Sequence, residues 1–217
     1  MIQELDKDIR YIAIEGNIGA GKSTLTGLLC QDMNARGLYE GFADNPYLPE
    51  FYKNPEKNAF PLEISFLAER FRQMKELFET PDIFQPLIIS DFLFHKSLIF
   101  ARFTLAEPEF LVFEKVFRLL DQSAPKPDVL VYLHREIPSL TAHIRKRGRP
   151  YEQDITAAYL DKVTKSYFRY FKEVQHVPIV IVDADKHDFL NETGDRIKLL
   201  RYLNRKNLKS GLNFFGE

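Results

Sequence analysis

The sequence predicts an α/β fold built on a central parallel sheet, and three observations carry that reading. Four short runs rich in Ile, Val and Leu, at 11–16, 86–91, 129–134 and 179–184, show little polar alternation. Strands buried on both faces of a parallel sheet look like this. The stretches between them are longer and carry apolar residues at helical spacing. The first run also leads directly into a glycine-rich loop, GNIGAGKS at 16–23, that opens onto a helix-like segment. Strands alternating with helices imply crossover connections, with helices covering the faces of the sheet.

In chain order, YIAIEG (11–16) is the first strand. Lys22–Arg36 follows as a helix with Leu25, Leu28, Leu29 and Met33 recurring on one side, and GLYEGF (37–42) is a weaker strand. Pro61–Glu79 is a long helix carrying Leu62, Phe66, Leu67, Arg70, Phe71, Met74 and Phe78. PLIISD (86–91), VLVYLH (129–134) and IVIVDA (179–184) are the other strands, separated by helices within 107–122 and 156–173. A helix near 190–205 and a short tail complete the chain. No repeat, low-complexity tract or Gly/Ser linker divides it, so residues 1–217 read as one domain. A chain of this size buries ~70% of its unfolded surface and needs no covalent staple.

Composition narrows the function. Cys30 is the single cysteine, which excludes an intramolecular disulfide and a Cys-only zinc site and favours an intracellular, cytoplasmic protein. Thirty Lys and Arg against 31 Asp and Glu leave a net charge of −1, giving no global reason to expect nucleic acid as a partner. No uncharged apolar run approaches the ~18 residues of a membrane span. The first ten residues mix acids and bases and hold no apolar signal core. His95, His134, His176 and His187 show no metal-binding spacing. The 19 Phe signal a well-filled core.

Residues 16–23 match G-x-x-x-x-G-K-[ST] between a strand and a helix. In such a loop the backbone of Gly16, Asn17, Ile18, Gly19, Ala20 and Gly21 turns its N–H groups toward phosphate oxygens, and Thr24 extends the cradle into the helix. Lys22 bridges the terminal phosphates of a nucleotide, and the Ser23 hydroxyl ligates Mg2+. The motif does not choose among ATPase, GTPase and kinase.

Several stretches in order carry a resemblance: EGNIGAGKST, EGFADNPYLPEFY, PLEISFLAERFRQ, the SDFLF to IFA segment, IRKRGRPYE and IVDAD. Together they resemble the deoxynucleoside kinase family, over most of the chain, from the phosphate loop to about Asp188. The resemblance implies a P-loop kinase fold with a five-stranded parallel sheet, an Arg-rich lid at about 143–153 and usually a homodimer. It implies transfer of phosphate from ATP, with Mg2+, to the 5′-hydroxyl of a deoxynucleoside. Glu40 matches the family's proposed general base, although Gly41 follows it where the family has Pro. Tyr52 and Glu152 match ligands of the sugar 3′-hydroxyl, and Phe100 matches a Phe that stacks on the base. Glu63 stands where the family has a base-reading Gln, with Arg70 seven residues on and on the same helical face. An ionised Glu only accepts hydrogen bonds, which suits the two adjacent donors of guanine; a salt bridge to Arg70 is the competing reading. Asp91 matches an acid of the magnesium shell. Phe92 follows it where the family places a catalytic Arg, and Lys96 or Arg102 could resupply that cation; Lys96 is the preferred of the two, although a solvated surface lysine is the commoner reading of such a residue. Arg147 and Arg149 match lid arginines, whereas His143 stands where a further Arg is common. Asp183 and Asp185 resemble the loop that borders adenine, or form a plain turn.

Three functions stay open at this level. The first is a salvage kinase with a weak preference for purine deoxynucleosides. The second is a nucleoside monophosphate kinase. The third is a non-catalytic nucleotide-binding subunit, for which Phe92 is the only support.

Overall fold

In a computed structural model, which describes residues 5–6, 8–41, 45–204 and 208–216, the first strand β1 (Tyr11–Gly16) runs into helix α1 (Lys22–Met33). Next come β2 (Arg36–Leu38), α2 (Tyr47–Lys53), α3 (Pro55–Glu79), β3 (Ile88–Ser90), α4 (Lys96–Thr104) and α5 (Glu107–Asp121). The second half is β4 (Val129–His134), α6 (Ile137–Arg147), a 3-10 turn (Pro150–Glu152), α7 (Ala157–Glu173), β5 (Pro178–Asp183), α8 (Thr193–Leu203) and β6 (Gly211–Phe214). The strands form one parallel sheet in the order β2-β3-β1-β4-β5-β6. Ile12 lies opposite Ile89 on one side and Val129 on the other.

All six residues of β1 are buried, as a strand covered on both faces requires. Their alternation divides the interior in two. Tyr11 and Ala13 join Leu130, Tyr132, Ile179 and Ile181 on the face packed by α3, α4, α5 and α7. Ile12 and Ile14 join Val131, Val180 and Val182 on the face packed by α1, α6 and α8. The Phe-rich composition belongs mainly to the first face, where Phe92, Phe94, Phe110, Phe113, Phe117 and Phe171 are buried; Phe189 lies on the second. Cys30 packs half-buried against that second core, where burial pushes its thiol up to about 11. No helix among the described residues is long and apolar enough to cross a membrane.

The structure corrects several boundaries. The sheet has six strands rather than five, because the tail pairs with β5 as an edge strand, Pro178 opposite Gly211. GLNF is short and only partly buried, so its hydrophobic pattern is weak. β2 covers Arg36–Leu38 instead of 37–42; residue 42 lies outside the described residues, as does residue 205 at the end of the last expected helix. Helix α3 starts at Pro55, before the expected Pro61, with the Asn54 side chain accepting a hydrogen bond from Lys57 N–H at its N-terminus. The expected lid at 143–153 is the last turn of α6 followed by the 3-10 turn, with Gly148 (φ 72°) stopping the helix in the left-handed conformation.

Candidate active site

The phosphate loop leaves the C-terminal end of β1, where ligands bind in open α/β sheets. Gly19 has φ 83°, and a Cβ there would stand 2.9 Å from the Leu140 carbonyl oxygen. Asn17 ties the loop to α7: its amide donates to Leu160 O (2.7 Å) and to Thr164 Oγ1 (2.8 Å), and its Oδ1 accepts from Ile18 N–H (2.8 Å). Lys22 Nζ donates to the carbonyls of Gly16 (3.0 Å) and Asn17 (3.1 Å). Burial, and then the charge of Lys96, push the Lys22 ammonium down to about 8. Ser23 Oγ touches Asp91 Oδ2, and Asp91 Oδ1 accepts from Glu40 N–H (2.7 Å). Two oxygen ligands side by side fit a hard cation that keeps waters and phosphate oxygens in its other positions. No cluster of three or more His, Cys, Asp or Glu with metal-binding geometry occurs among the described residues.

Behind this loop is a buried charge cluster. Glu40 accepts from Arg70 Nε (2.7 Å) and pairs with Arg70 Nη2 (2.5 Å) through Oε1, and pairs with Lys96 Nζ (2.6 Å) through Oε2. Arg70 Nη1 also donates to Ser97 Oγ (2.7 Å). Burial alone would raise the Glu40 carboxyl, but Lys96 and Arg70 together hold it well below the usual carboxylate range. Lys96 is therefore an interior cation, only 8% exposed. Arg102, the other replacement considered for the missing Arg, is exposed and sits over the Phe110 ring (5.1 Å). Phe92 is fully buried in the core beside the sheet.

Glu40, Arg70 and Lys96 form one wall of a cavity of about 120 Å³. Tyr52, Glu63, Phe100, Arg147, Arg149 and Glu152 line it, joined by Phe66, Tyr151 and Tyr159. The Phe100 ring lies 5.7 Å from Lys96 Nζ, and Tyr52 stacks on Tyr151 at 6.2 Å. Glu63 is 3% exposed and accepts from the Thr104 hydroxyl (2.9 Å). Arg70 points to Glu40, so the Glu63–Arg70 salt bridge, the competing reading of this pair, does not form among the described residues. Burial pushes the Glu63 carboxyl up to about 7, against the lowering effect of the Arg70 charge. Glu152 binds both lid arginines, Arg147 Nε at 3.0 Å and Arg149 Nη1 at 3.2 Å.

A larger cavity, about 620 Å³, opens on the other side of the phosphate loop. Gly19, Gly21, Thr24, Arg135, His143 and Asp185 line it, and Arg147 borders both cavities. His143 Nδ1 lies 2.9 Å from Gly19 O, and Arg135 joins Ala20 O (3.1 Å) to Asp185 (2.7 Å). Asp183 is in the turn behind Asp185, paired with Lys186 (2.8 Å).

Sequence reasoning missed Glu15, Ser97, Thr104, Arg135 and Tyr159. Glu15 is fully buried under the loop. Its Oε1 accepts from Leu93 N–H (2.7 Å) and its Oε2 from the Tyr167 hydroxyl (2.8 Å), fixing the β3–α4 turn that carries Asp91 and Lys96. A carboxylate inside an otherwise apolar strand, YIAIEG, is the available signal for it.

The family model described as deoxynucleoside kinase matches residues 12–207. A deoxyguanosine kinase of Bacillus subtilis (strain 168) is 37% identical over 193 residues, covering 85% of this chain and 91% of its own. A deoxyadenosine kinase of Lactobacillus acidophilus is 30% identical over 209 residues, covering 91% and 96%. A solved deoxyadenosine kinase from M. mycoides, with dCMP and a flexible dCDP bound, superposes with a TM-score of 0.74 at 25% identity, covering 88% of this chain and 97% of that one.

Proposed function

The chain belongs to the deoxynucleoside kinase family, and from that premise we propose that it phosphorylates the 5′-hydroxyl of purine deoxynucleosides, deoxyguanosine foremost, using ATP and Mg2+. The observation that carries the reading is the phosphate loop standing between two cavities, with Lys22 and Ser23 on the smaller and Gly19, Gly21 and Thr24 on the larger. The larger cavity is the donor side, and the smaller, apolar-walled one is the deoxynucleoside side. When bound, the Mg2+–ATP pair supplies the transferable phosphoryl group and screens its charge; Ser23 and Asp91 are the residues that would hold the metal.

Glu40 orients the 5′-hydroxyl and takes its proton as transfer proceeds. A carboxylate has about four acceptor sites, so Glu40 can receive a hydroxyl while it holds Arg70 and Lys96. A strongly basic group is not required, because the transition state is loose and positioning dominates. Lys22 and Lys96 stabilise the charge of the phosphoryl group in transit, and Lys96 fills the role left open by Phe92. Arg147 and Arg149 release Glu152 toward the sugar 3′-hydroxyl, beside Tyr52, and turn to the phosphates as the lid closes. Phe100 and Phe66 sandwich the base. Glu63 reads its edge, because a carboxylate accepts from the two adjacent donors of guanine. The protein works in the cytoplasm as a homodimer that covers the exposed Leu111, Val112, Val116 and Leu119 of α5.

Purified protein given ATP, Mg2+ and the four deoxynucleosides tests the reading. Turnover highest with deoxyguanosine supports it. Turnover confined to deoxycytidine or thymidine overturns the purine assignment, and turnover confined to monophosphates overturns the acceptor.

A further inference from the structure

Glu63 is a buried carboxyl with no cation of its own. Arg70, on the same helix, is committed to Glu40 and Ser97. Thr104 hydrogen-bonds Oε1, while Oε2 takes no hydrogen bond among the described residues although Glu63 lines the small cavity. Such a group is a hydrogen-bonding edge offered to a ligand, and its pattern depends on whether it holds a proton. A carboxylate offers two acceptors. A carboxylic acid offers one donor and one acceptor.

Purines present the two complementary patterns. Guanine has adjacent donors at N1–H and the exocyclic amine. Adenine has an acceptor at N1 beside a donor amine. We propose that the proton on Glu63 selects the base, the ionised form taking guanine and the protonated form adenine. The proposal rests on the smaller cavity being the deoxynucleoside site. Relative to the ionised free enzyme, adenine binding takes up one proton; relative to the protonated free enzyme, guanine binding releases one.

The surroundings support both forms. The Thr104 hydroxyl has one hydrogen and two partners in reach, Glu63 Oε1 at 2.9 Å and Phe100 O at 3.0 Å. It donates to Glu63 when that group is ionised. When Glu63 carries the proton on Oε2, that hydrogen is offered to the base, and Thr104 keeps its own hydrogen on Oε1 or turns it to Phe100 O. The charged or titratable groups facing Glu63 are Arg70 of α3, Lys96 of α4, Glu40 beyond β2, Tyr52 of α2 and Tyr159 of α7. Burial outweighs the cations, and the balance near 7 leaves both forms populated at neutral pH.

The test is internal competition. Deoxyguanosine and deoxyadenosine are mixed in one vessel with ATP and Mg2+, and the ratio of the two monophosphates formed is followed against pH. Every other titration, in Lys22, Glu40 or the lid, acts on both substrates and cancels. The ratio then follows the ionised-to-protonated ratio of Glu63, rising about tenfold per pH unit and about 100-fold from about pH 6 to about pH 8. Glu63→Gln has no proton to lose, so its ratio is flat. Thr104→Val removes a donor to the ionised form and lowers the ratio roughly tenfold at each pH, leaving its slope. A flat ratio in the parent enzyme, or a slope that survives in Glu63→Gln, overturns the proton-selection proposal while leaving the kinase reading intact. Failure to phosphorylate either purine overturns both.

Discussion

Replacing Lys96 by Met tests the central electrostatic claim, because Met keeps a four-atom apolar stem of similar shape and deletes the ammonium. Lys96 Nζ is 2.6 Å from Glu40 Oε2, with both side chains about a tenth exposed. At an effective dielectric of ~20 the gross attraction is ~6 kcal/mol, and the cost of desolvating both ions offsets most of it. Arg70 still neutralises Glu40 in the variant, so the expected loss of stability is ~1–3 kcal/mol, below the ~3–5 kcal/mol of a fully orphaned buried charge. Catalysis is expected to lose more. A missing preorganised charge at a transferring group costs about 10²–10³ in kcat. The assay pairs urea unfolding with steady-state turnover of deoxyguanosine at saturating ATP. The expected result is a shifted midpoint, a folded protein at room temperature, and kcat lower by at least about 100-fold. A kcat within about threefold of the parent would refute the assignment of Lys96 as the cation replacing the family arginine, leaving the Glu40 pairing purely structural.

Other variants probe the neighbouring groups. Glu40→Gln removes the proton acceptor and should lower kcat by about 10²–10⁴ while nucleotide affinity, measured by calorimetry, is unchanged. Glu63→Gln should also change stability with a definite sign. Because the folded carboxyl titrates near 7, above its unfolded value, the native state binds more protons between about pH 4.5 and 7, and the penalty of ionising it is fully present above that window. The variant is therefore expected to gain ~2–3 kcal/mol over the parent near pH 8 relative to near pH 5, read by denaturant melts at both; an equal difference at both pH values would contradict the burial of an uncompensated carboxyl. If the proposed homodimer forms through the apolar stripe of α5, Leu119→Lys places a charge there and should give a monomer by light scattering with unchanged helix content, where the parent gives a dimer.

The parts of the protein legible in the sequence are those whose residues are contiguous. The phosphate loop is a single octapeptide between a strand and a helix, and β1, β4 and β5 are short, nearly continuous apolar runs of the kind that strands buried on both faces show. Short or half-exposed elements escaped. β6 has two exposed residues in four, and α4 reads as an unbroken apolar run with Lys96 and Arg102 at its ends. Helical spacing in α3 set Glu63 and Arg70 on one face and left open whether they pair. In the fold Arg70 reaches Glu40, thirty positions earlier, because β2 delivers that carboxylate to the same cavity.

The sequence alone determined the fold class, the phosphate-loop motif and the presence of Phe92 after Asp91. Tertiary structure alone decided where Phe92 and Lys96 go. Phe92 lies in the β3–α4 turn and Lys96 opens α4, and composition assigns neither a place. The buried Glu15 carboxylate holds the Leu93 amide and with it the path of that turn. Phe92 goes to the core, where an aromatic ring gains by leaving water, and Lys96 goes inward only because Glu40 is there to receive its charge. An ammonium is buried by its partner rather than by its own preference. Its position therefore depends on a residue far away in the chain, and local pattern carries no record of it.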